Sequence, residues 1–278
     1  MKLFVKNIAI LAGTDSHGKL RLQGREMAET GIINDAFLYV EDGIIKRLGQ
    51  MAEAQDLEHT PNVTIVDAEG GAVLPSWCDS HSHVVFGGSR EQEFVDKIRG
   101  LSYAEIAKRG GGILNSADLL HNTSEDELYR QAMRRVNEVI RKGTGCLEIK
   151  SGYGLNTEDE LKMLRVIRRI KETAPLRVVS TFLGAHAVSR EYAGRQAEYV
   201  DLVINEMIPA VGEEKLADFV DVFCDTGFFT PDETGRIMEA AAKYGMRPKI
   251  HADELAASGG VEVAIRHNAL SVDHLESM

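Results

Sequence analysis

From about residue 72 onward the chain alternates short apolar runs with amphipathic helical stretches, and this alternation restricts the fold more than any other feature. Residues 72–78, 146–149, 177–182, 219–223, 248–250 and 269–272 read as strands. Between them, Leu128, Ala132, Val136 and Val139 share one helical face, as do Leu161, Leu164 and Ile167, and Ile237, Ala241 and Tyr244. Thr123 or Ser124 followed by Asp126 and Glu127 suits a helix start, and so does Thr157-Glu158-Asp159-Glu160. Gly110-Gly111-Gly112 reads as a loop. Strand–helix alternation of this kind gives an α/β fold, a parallel sheet or a (β/α) barrel. A closed barrel takes eight strands, whereas six are legible here, so the barrel is expected to be incomplete and to leave an apolar edge.

Residues 1–70 read differently. Leu38-Tyr39-Val40 and Ile44-Ile45 flank Glu41-Asp42-Gly43, a strong hairpin signal, and Val63-Thr64-Ile65-Val66 reads as a further strand. The expected organisation is a small β-module over residues 1–70 and the barrel over 71–278. The 278 residues carry a net charge of −11, which argues against a nucleic-acid surface but leaves room for one arginine to bind an anionic small molecule. No apolar run approaches the roughly 20 residues of a membrane helix, and residues 1–6 lack a signal-peptide pattern. Cys78, Cys146 and Cys224 are expected to be small buried hydrophobes without disulfides, in keeping with a reducing cytoplasm.

Nine histidines are present, and five of them, His81, His83, His186, His251 and His274, fall at or just past the C-terminal end of a predicted strand. That end of a (β/α) barrel carries the active site. His17, His59, His121 and His267 sit in predicted loops or helix ends and are expected to be structural or solvated. In Asp79-Ser80-His81-Ser82-His83, strand alternation would put Asp79, His81 and His83 on one face, so that two imidazoles reach one metal ion. His251 would come from the fifth strand as a third ligand, leaving a position open to water. Arg90, after Phe86-Gly87-Gly88-Ser89, offers a fork suited to a carboxylate. Tyr153 lies in Lys150-Ser151-Gly152-Tyr153-Gly154, near the expected mouth. Glu254, in His251-Ala252-Asp253-Glu254, can exchange protons with substrate or water.

The segments around His81, Arg90, Tyr153, His186, His251 and His274 occur in one order. Together with Leu183-Gly184-Ala185-His186 and Asp273-His274-Leu275 they resemble the imidazolonepropionases, members of the amidohydrolase superfamily. The resemblance implies an amidohydrolase-type (β/α)8 barrel with a small N-terminal β-sandwich module, here incomplete. It implies hydrolytic opening of 4-imidazolone-5-propanoate to N-formimidoyl-L-glutamate in histidine degradation. It implies one zinc or iron ion on His81, His83 and His251, and Arg90 on the substrate carboxylate. Tyr153 and His186 would contact the substrate, His186 would help the metal stabilise the tetrahedral intermediate, and Glu254 and His274 would be the acid/base and orienting groups. A cytoplasmic homodimer is implied as well. A two-metal relative, such as a dihydroorotase-like enzyme, would carry a bridging lysine where this chain has Cys224-Asp225, so a single ion is expected. Family members continue past this C-terminus with strands seven and eight, the rest of the β-module, a metal-binding aspartate and an Asn/Gly/Thr substrate contact. The expectation is therefore a piece of a longer enzyme or a natural truncation, with little or no turnover by the chain alone. The alternatives are another amidohydrolase, such as a deaminase, or a catalytically incompetent fragment.

Overall fold

The computed structural model describes the chain except for residues 16, 17, 20, 21, 102–104 and 106–110, so His17 and Gly110 lie outside the described residues. The chain divides into two compact units, Met1–Ser76 and Trp77–Met278.

The first unit is a five-stranded sheet in the order β3-β2-β1-β4, with β5 also on β1. The strands are β1 (Lys2–Ala12), β2 (Ile32–Glu41), β3 (Ile44–Gln50), β4 (Val63–Asp67) and β5 (Ala72–Val73). β2 and β3 form the expected hairpin. Asp42 and Gly43 take φ of 50° and 77°, the left-handed pair that a tight two-residue turn demands. Phe4, Phe37, Tyr39, Ala54 and Leu57 form its main core.

The second unit is a parallel sheet in the order β12-β11-β9-β8-β7-β6, with β10 also on β9. Its strands are β6 (Trp77–Asp79), β7 (Thr144–Lys150), β8 (Arg177–Ala185), β9 (Phe219–Cys224), β10 (Arg247–Pro248), β11 (Ile250–Ala252) and β12 (Val272–His274). β6 and β12 are its two edges. In a flat sheet, five inter-strand steps of about 4.8 Å would separate them by about 24 Å. Yet His81, just past β6, lies 3.0 Å from Asp273 on β12. The sheet is therefore strongly curled, and its C-terminal strand ends converge. Helices Glu125–Arg141, Thr157–Thr173 and Pro231–Ala242 fill the crossovers. Leu128, Ala132 and Val136 are wholly buried, and Leu164, Ile167, Ile237 and Ala241 with them. Ser124 caps the first of these helices by accepting from Glu127 N–H, and Thr230 with Glu233 makes a capping box on the third. No helix among the described residues is long and apolar enough to cross a membrane.

Three expectations need correction. The run 72–78 is not one strand: Ala72–Val73 joins the first sheet and Trp77–Asp79 the second. Pro75, which has no N–H to give to a ladder, stands in the break. The fifth and sixth strands run two residues further than read, so His251 and His274 lie within β11 and β12. The cysteines are not all buried: Cys78 is exposed, Cys146 intermediate and Cys224 buried, and all three are free. Cys78 is exposed because β6 is an edge strand with one neighbour only.

Candidate metal and active centre

His81 and His83 follow β6 rather than lying in it, so strand alternation does not orient them. The ladder is carried on by Ser82 instead, whose carbonyl accepts from Lys150 N–H at 2.9 Å and whose hydroxyl donates to the Glu148 carbonyl at 2.5 Å. This bridge anchors the segment between the two imidazoles. His186 follows β8, His251 is central in β11, and His274 ends β12.

The five rings meet. Ring centroids of His81 and His251 are 4.4 Å apart, His81 and His83 5.3 Å, and His83 and His186 5.2 Å with near-parallel planes. His274 stands 5.1 Å from both His81 and His251. Tyr153 lies 5.5 Å from His83 and 5.4 Å from His186. Two triads bring their ligating atoms within 4.8 Å of one another: His81–His251–His274 and His83–His186–His251. The expected ligands His81, His83 and His251 thus share one cluster, but His81 and His83 fall in different triads, joined through His251.

The cluster fits a metal ion. His81 Nδ1 lies 3.0 Å from Asp273 Oδ2, His251 Nδ1 2.9 Å from Asp221 Oδ2, and His186 Nδ1 2.9 Å from the Gly152 carbonyl. An oxygen at Nδ1 leaves Nε2 as the lone pair, the arrangement that orients imidazoles on metals. The buried Nδ1 atoms of His83 and His251 have no well-formed hydrogen bond of their own, although Asp221 is close to the latter. Burial, with His186 and His251 nearby, pushes His83 well below the usual imidazole range. Burial and His251 push His186 down to about 3, and burial lowers His251 despite Asp221. Neutral imidazole is the form that binds a metal.

Beneath the rings lies a buried ionic cluster. Lys150 Nζ donates to Asp221 at 2.7 Å, Glu148 at 2.9 Å and Asp273 at 3.3 Å. Lys249 pairs with Glu148 and lies 3.7 Å from Asp273. Burial alone would lower Lys150 and raise Asp221. For Lys150 the carboxylates of Asp221, Glu148 and Asp273 outweigh burial, and for Asp221 the neighbouring His251 and then Lys150 do so, which holds Lys150 above and Asp221 well below its ordinary value. For Asp273, burial is likewise outweighed by His81, Lys150 and Lys249, which hold the carboxyl at about 2 against an ordinary 3.8. A carboxyl depressed on folding contributes stability above its unfolded value and loses it as pH falls through the folded one. Screened by solvent at a part-exposed carboxyl, that gap contributes on the order of 1 kcal/mol. Acid titration of the metal-free chain is expected to lose this contribution between pH 4 and 2. Asp273→Asn should flatten that limb of a stability–pH curve, and an unchanged limb would reject the assignment.

The remaining expected residues lie around the rings. Glu254 Oε2 is 3.5 Å from His274 Nε2. Its loop is held by Asp225, whose carboxylate accepts from the N–H groups of Glu254 and Leu255 at 2.9 Å and Ala256 at 3.2 Å. Arg90 precedes the helix Glu91–Ile98, lies 3.6 Å from Glu93 and is near enough to Tyr153 for its charge to oppose the upward push of burial on the phenol. Of the histidines expected to be structural, His121 pairs with Asp159 at 2.8 Å.

Sequence reasoning missed Glu148, Lys150, Asp221, Lys249 and Asp273, and also Glu160 and Asp225. A signal existed for the first group. Barrel strands are buried on both faces, so a charge between apolar neighbours, as in Leu147-Glu148-Ile149-Lys150 or Val220-Asp221-Val222, must find a buried partner.

A scan against protein-family models gives no match. Among curated proteins the chain is similar to the imidazolonepropionase of Flavobacterium psychrophilum, with 48% identity over 276 residues, 99% of this chain and 66% of that protein. It is similar to that of Christiangramia forsetii with 49% identity over 281 residues, 100% of this chain and 67% of that protein. The chain thus spans about two thirds of the length of the curated relatives it matches. Among solved structures it resembles the 5-methylcytosine deaminase from Klebsiella pneumoniae, with a TM-score of 0.60 at 17% identity over 96% of this chain and 55% of that one. At that identity the likeness concerns the fold alone. Identity of nearly one residue in two along the whole sequence is far above what a shared fold produces, and the chain belongs to the imidazolonepropionase family.

Proposed function

We propose that this chain carries the metal-binding and acid/base part of an enzyme that hydrolyses 4-imidazolone-5-propanoate to N-formimidoyl-L-glutamate. The observation that carries the reading is the convergence of His81, His83, His186, His251 and His274 with Tyr153 at one end of the curled sheet. His81, His83 and His251 would hold one zinc or iron ion, since imidazole suits both. When bound, such an ion supplies Lewis acidity and acidifies water towards neutral pH.

The chain's own residues do the rest. Arg90 binds the propionate carboxylate with its planar fork. Tyr153 and His186 border the ring of the substrate. The Glu254 carboxylate accepts a proton from the attacking water as its oxygen adds to the ring carbonyl carbon. It returns that proton to the ring nitrogen as the C–N bond breaks, so one residue serves as base and then acid. His274, 3.5 Å away, fixes the direction of that carboxylate. The low exposure of His186 and His251 keeps bulk water from their rings.

The test is hydrolysis of the imidazolone by the protein purified at its natural length from its own cells, after metal removal and reconstitution with zinc or iron, with N-formimidoyl-L-glutamate identified as product. Substrate binding that ignores both the metal and the propionate would overturn the reading. Loss of the carboxylate anchor in Arg90→Ala removes about 1.5–3 kcal/mol of charge-assisted bonding, so KM is expected to rise about 10- to 100-fold with kcat little changed. An unchanged KM would remove Arg90 from the site.

A further inference from the structure

We propose that Glu160 is a positioning residue that holds the loop 151–155 and, through the Gly152 carbonyl, fixes the tautomer of His186. The inference rests on the substrate-contact roles proposed for Tyr153 and His186.

Glu160 is in the first turn of the helix Thr157–Thr173 and is fully buried. Its Oε1 accepts from the N–H groups of Gly154 at 2.7 Å, Leu155 at 3.1 Å and Gly152 at 3.2 Å, and its Oε2 accepts from Gly152 N–H at 3.1 Å. The Ser151 hydroxyl, in the same turn, accepts from Leu183 N–H at 2.9 Å. One carboxylate therefore collects the turn that presents Tyr153. Two of its residues take left-handed backbone, Gly152 at φ 105° and Leu155 at φ 54°, and Leu155 does so at a steric cost. The seat is close: a Cβ at position 154 would strike the backbone nitrogen of Glu160 itself.

The second link runs from the turn to the ring. The Gly152 carbonyl lies 2.9 Å from His186 Nδ1. A carbonyl only accepts, so the ring N–H must be on Nδ1, and in the neutral ring Nε2 is a bare lone pair. The His186 ring stacks on His83 at 5.2 Å and faces Tyr153 at 5.4 Å, inside the proposed site. In this tautomer His186 meets the substrate as an acceptor for a ring N–H rather than as a donor to an oxyanion, so the expected help of His186 in stabilising the tetrahedral intermediate does not come from a ring N–H. A Cβ on residue 152 would come 2.9 Å from the same Nδ1, so only glycine lets the carbonyl and the ring approach in this way.

Nothing basic pairs with Glu160 among the described residues, and burial pushes its carboxyl up in spite of its donors. A carboxylate buried on neutral donors alone is costly. A turn that only had to close could satisfy its N–H groups by water instead, at the surface.

The experiment uses Glu160→Gln, which keeps the volume. Its amide can no longer accept with both atoms, so one N–H of the turn meets an N–H. Two-bond proton–nitrogen correlation spectra of the histidine rings are expected to show His186 as the single Nδ1–H form in the unsubstituted chain and as mixed tautomers in the variant. In protein that turns over, kcat/KM should fall about 10- to 100-fold with metal content unchanged, the range typical of an orienting partner. A folded variant with an unaltered His186 spectrum overturns the proposal. If the variant does not fold, amide exchange in the unsubstituted chain decides. Strong protection of Gly152, Gly154 and Leu155 supports it, and free-loop exchange rates reject it. The spectra need no turnover. A chain without imidazolone hydrolysis but with the tautomer change sinks the proposed function alone, and the converse sinks only the role of Glu160.

Discussion

Lys150→Met is expected to destabilise the Trp77–Met278 unit by about 3–5 kcal/mol, the usual effect of removing one partner from a buried charge pair. Lys150 has no exposed surface, and neither has Asp221. Among the described residues its ammonium group is the one cation in contact with Glu148, Asp221 and Asp273 together, as Lys249 reaches only the first and last of these. Methionine fills the stem but takes the ammonium away from Asp221, which keeps His251 beside it. A whole domain is stable by about 5–15 kcal/mol, so the variant should be largely unfolded at modest denaturant. The pair Lys150→Met with Asp221→Leu removes both charges and should recover most of the loss, because a well-packed apolar pair often equals a buried ion pair. Urea unfolding of the two single variants and the double variant gives the coupling. A single-variant change below about 1 kcal/mol would mean that water or backbone replaces the lysine at little cost.

The same cluster marks the limit of what the sequence made legible. Short apolar runs and period-3.6 patterns identified the sheet and its helices, because the strands are buried and Leu128, Ala132 and Val136 bury one helical face. The five histidines were legible because parallel strands put their C-terminal ends at one place, whatever the detailed path. Which of those histidines come closest was not legible. The position of His81 depends on Asp273, 192 residues away in sequence, and no local pattern encodes the curl that joins them. Glu160 reads as an ordinary helix-start acid, which it is by position, since acids favour helix N-termini. Its task appears only when the turn before it folds back on the carboxylate. Likewise Asp225 reads only as part of Cys224-Asp225, the place where a two-metal relative would carry a bridging lysine, whereas it serves the backbone of the Glu254 loop.

The shared place of His251 in both histidine triads leads to a ranking of the metal ligands. His274→Ala leaves His83, His186 and His251 together, and His83→Ala leaves His81, His251 and His274. His251→Ala leaves only two separate pairs, neither of which encloses an ion. A four-ligand structural zinc site releases about 10–16 kcal/mol on binding, so one ligand is worth about 3–4 kcal/mol, a hundred- to thousandfold in affinity. His251→Ala is expected to lose at least that much, with zinc or iron absent after reconstitution and desalting. His274→Ala leaves His81, His83 and His251 in place and should retain the ion with little loss, whereas His83→Ala should retain it only through His81, His251 and His274, with a loss between those of the other two variants. Several contacts hold His251: the backbone N–H donates to Asp221 at 3.1 Å, the ring lies 2.9 Å from the same carboxylate, and the Phe223 ring is 5.8 Å away. Alanine there removes the imidazole without disturbing the backbone bond, so circular dichroism should be close to that of the unsubstituted chain. Metal analysis of the three variants side by side decides the matter. Full metal content in His251→Ala would show that the ion sits outside both triads, and equal losses in all three would show a single site that needs His83 and His274 as much as His251.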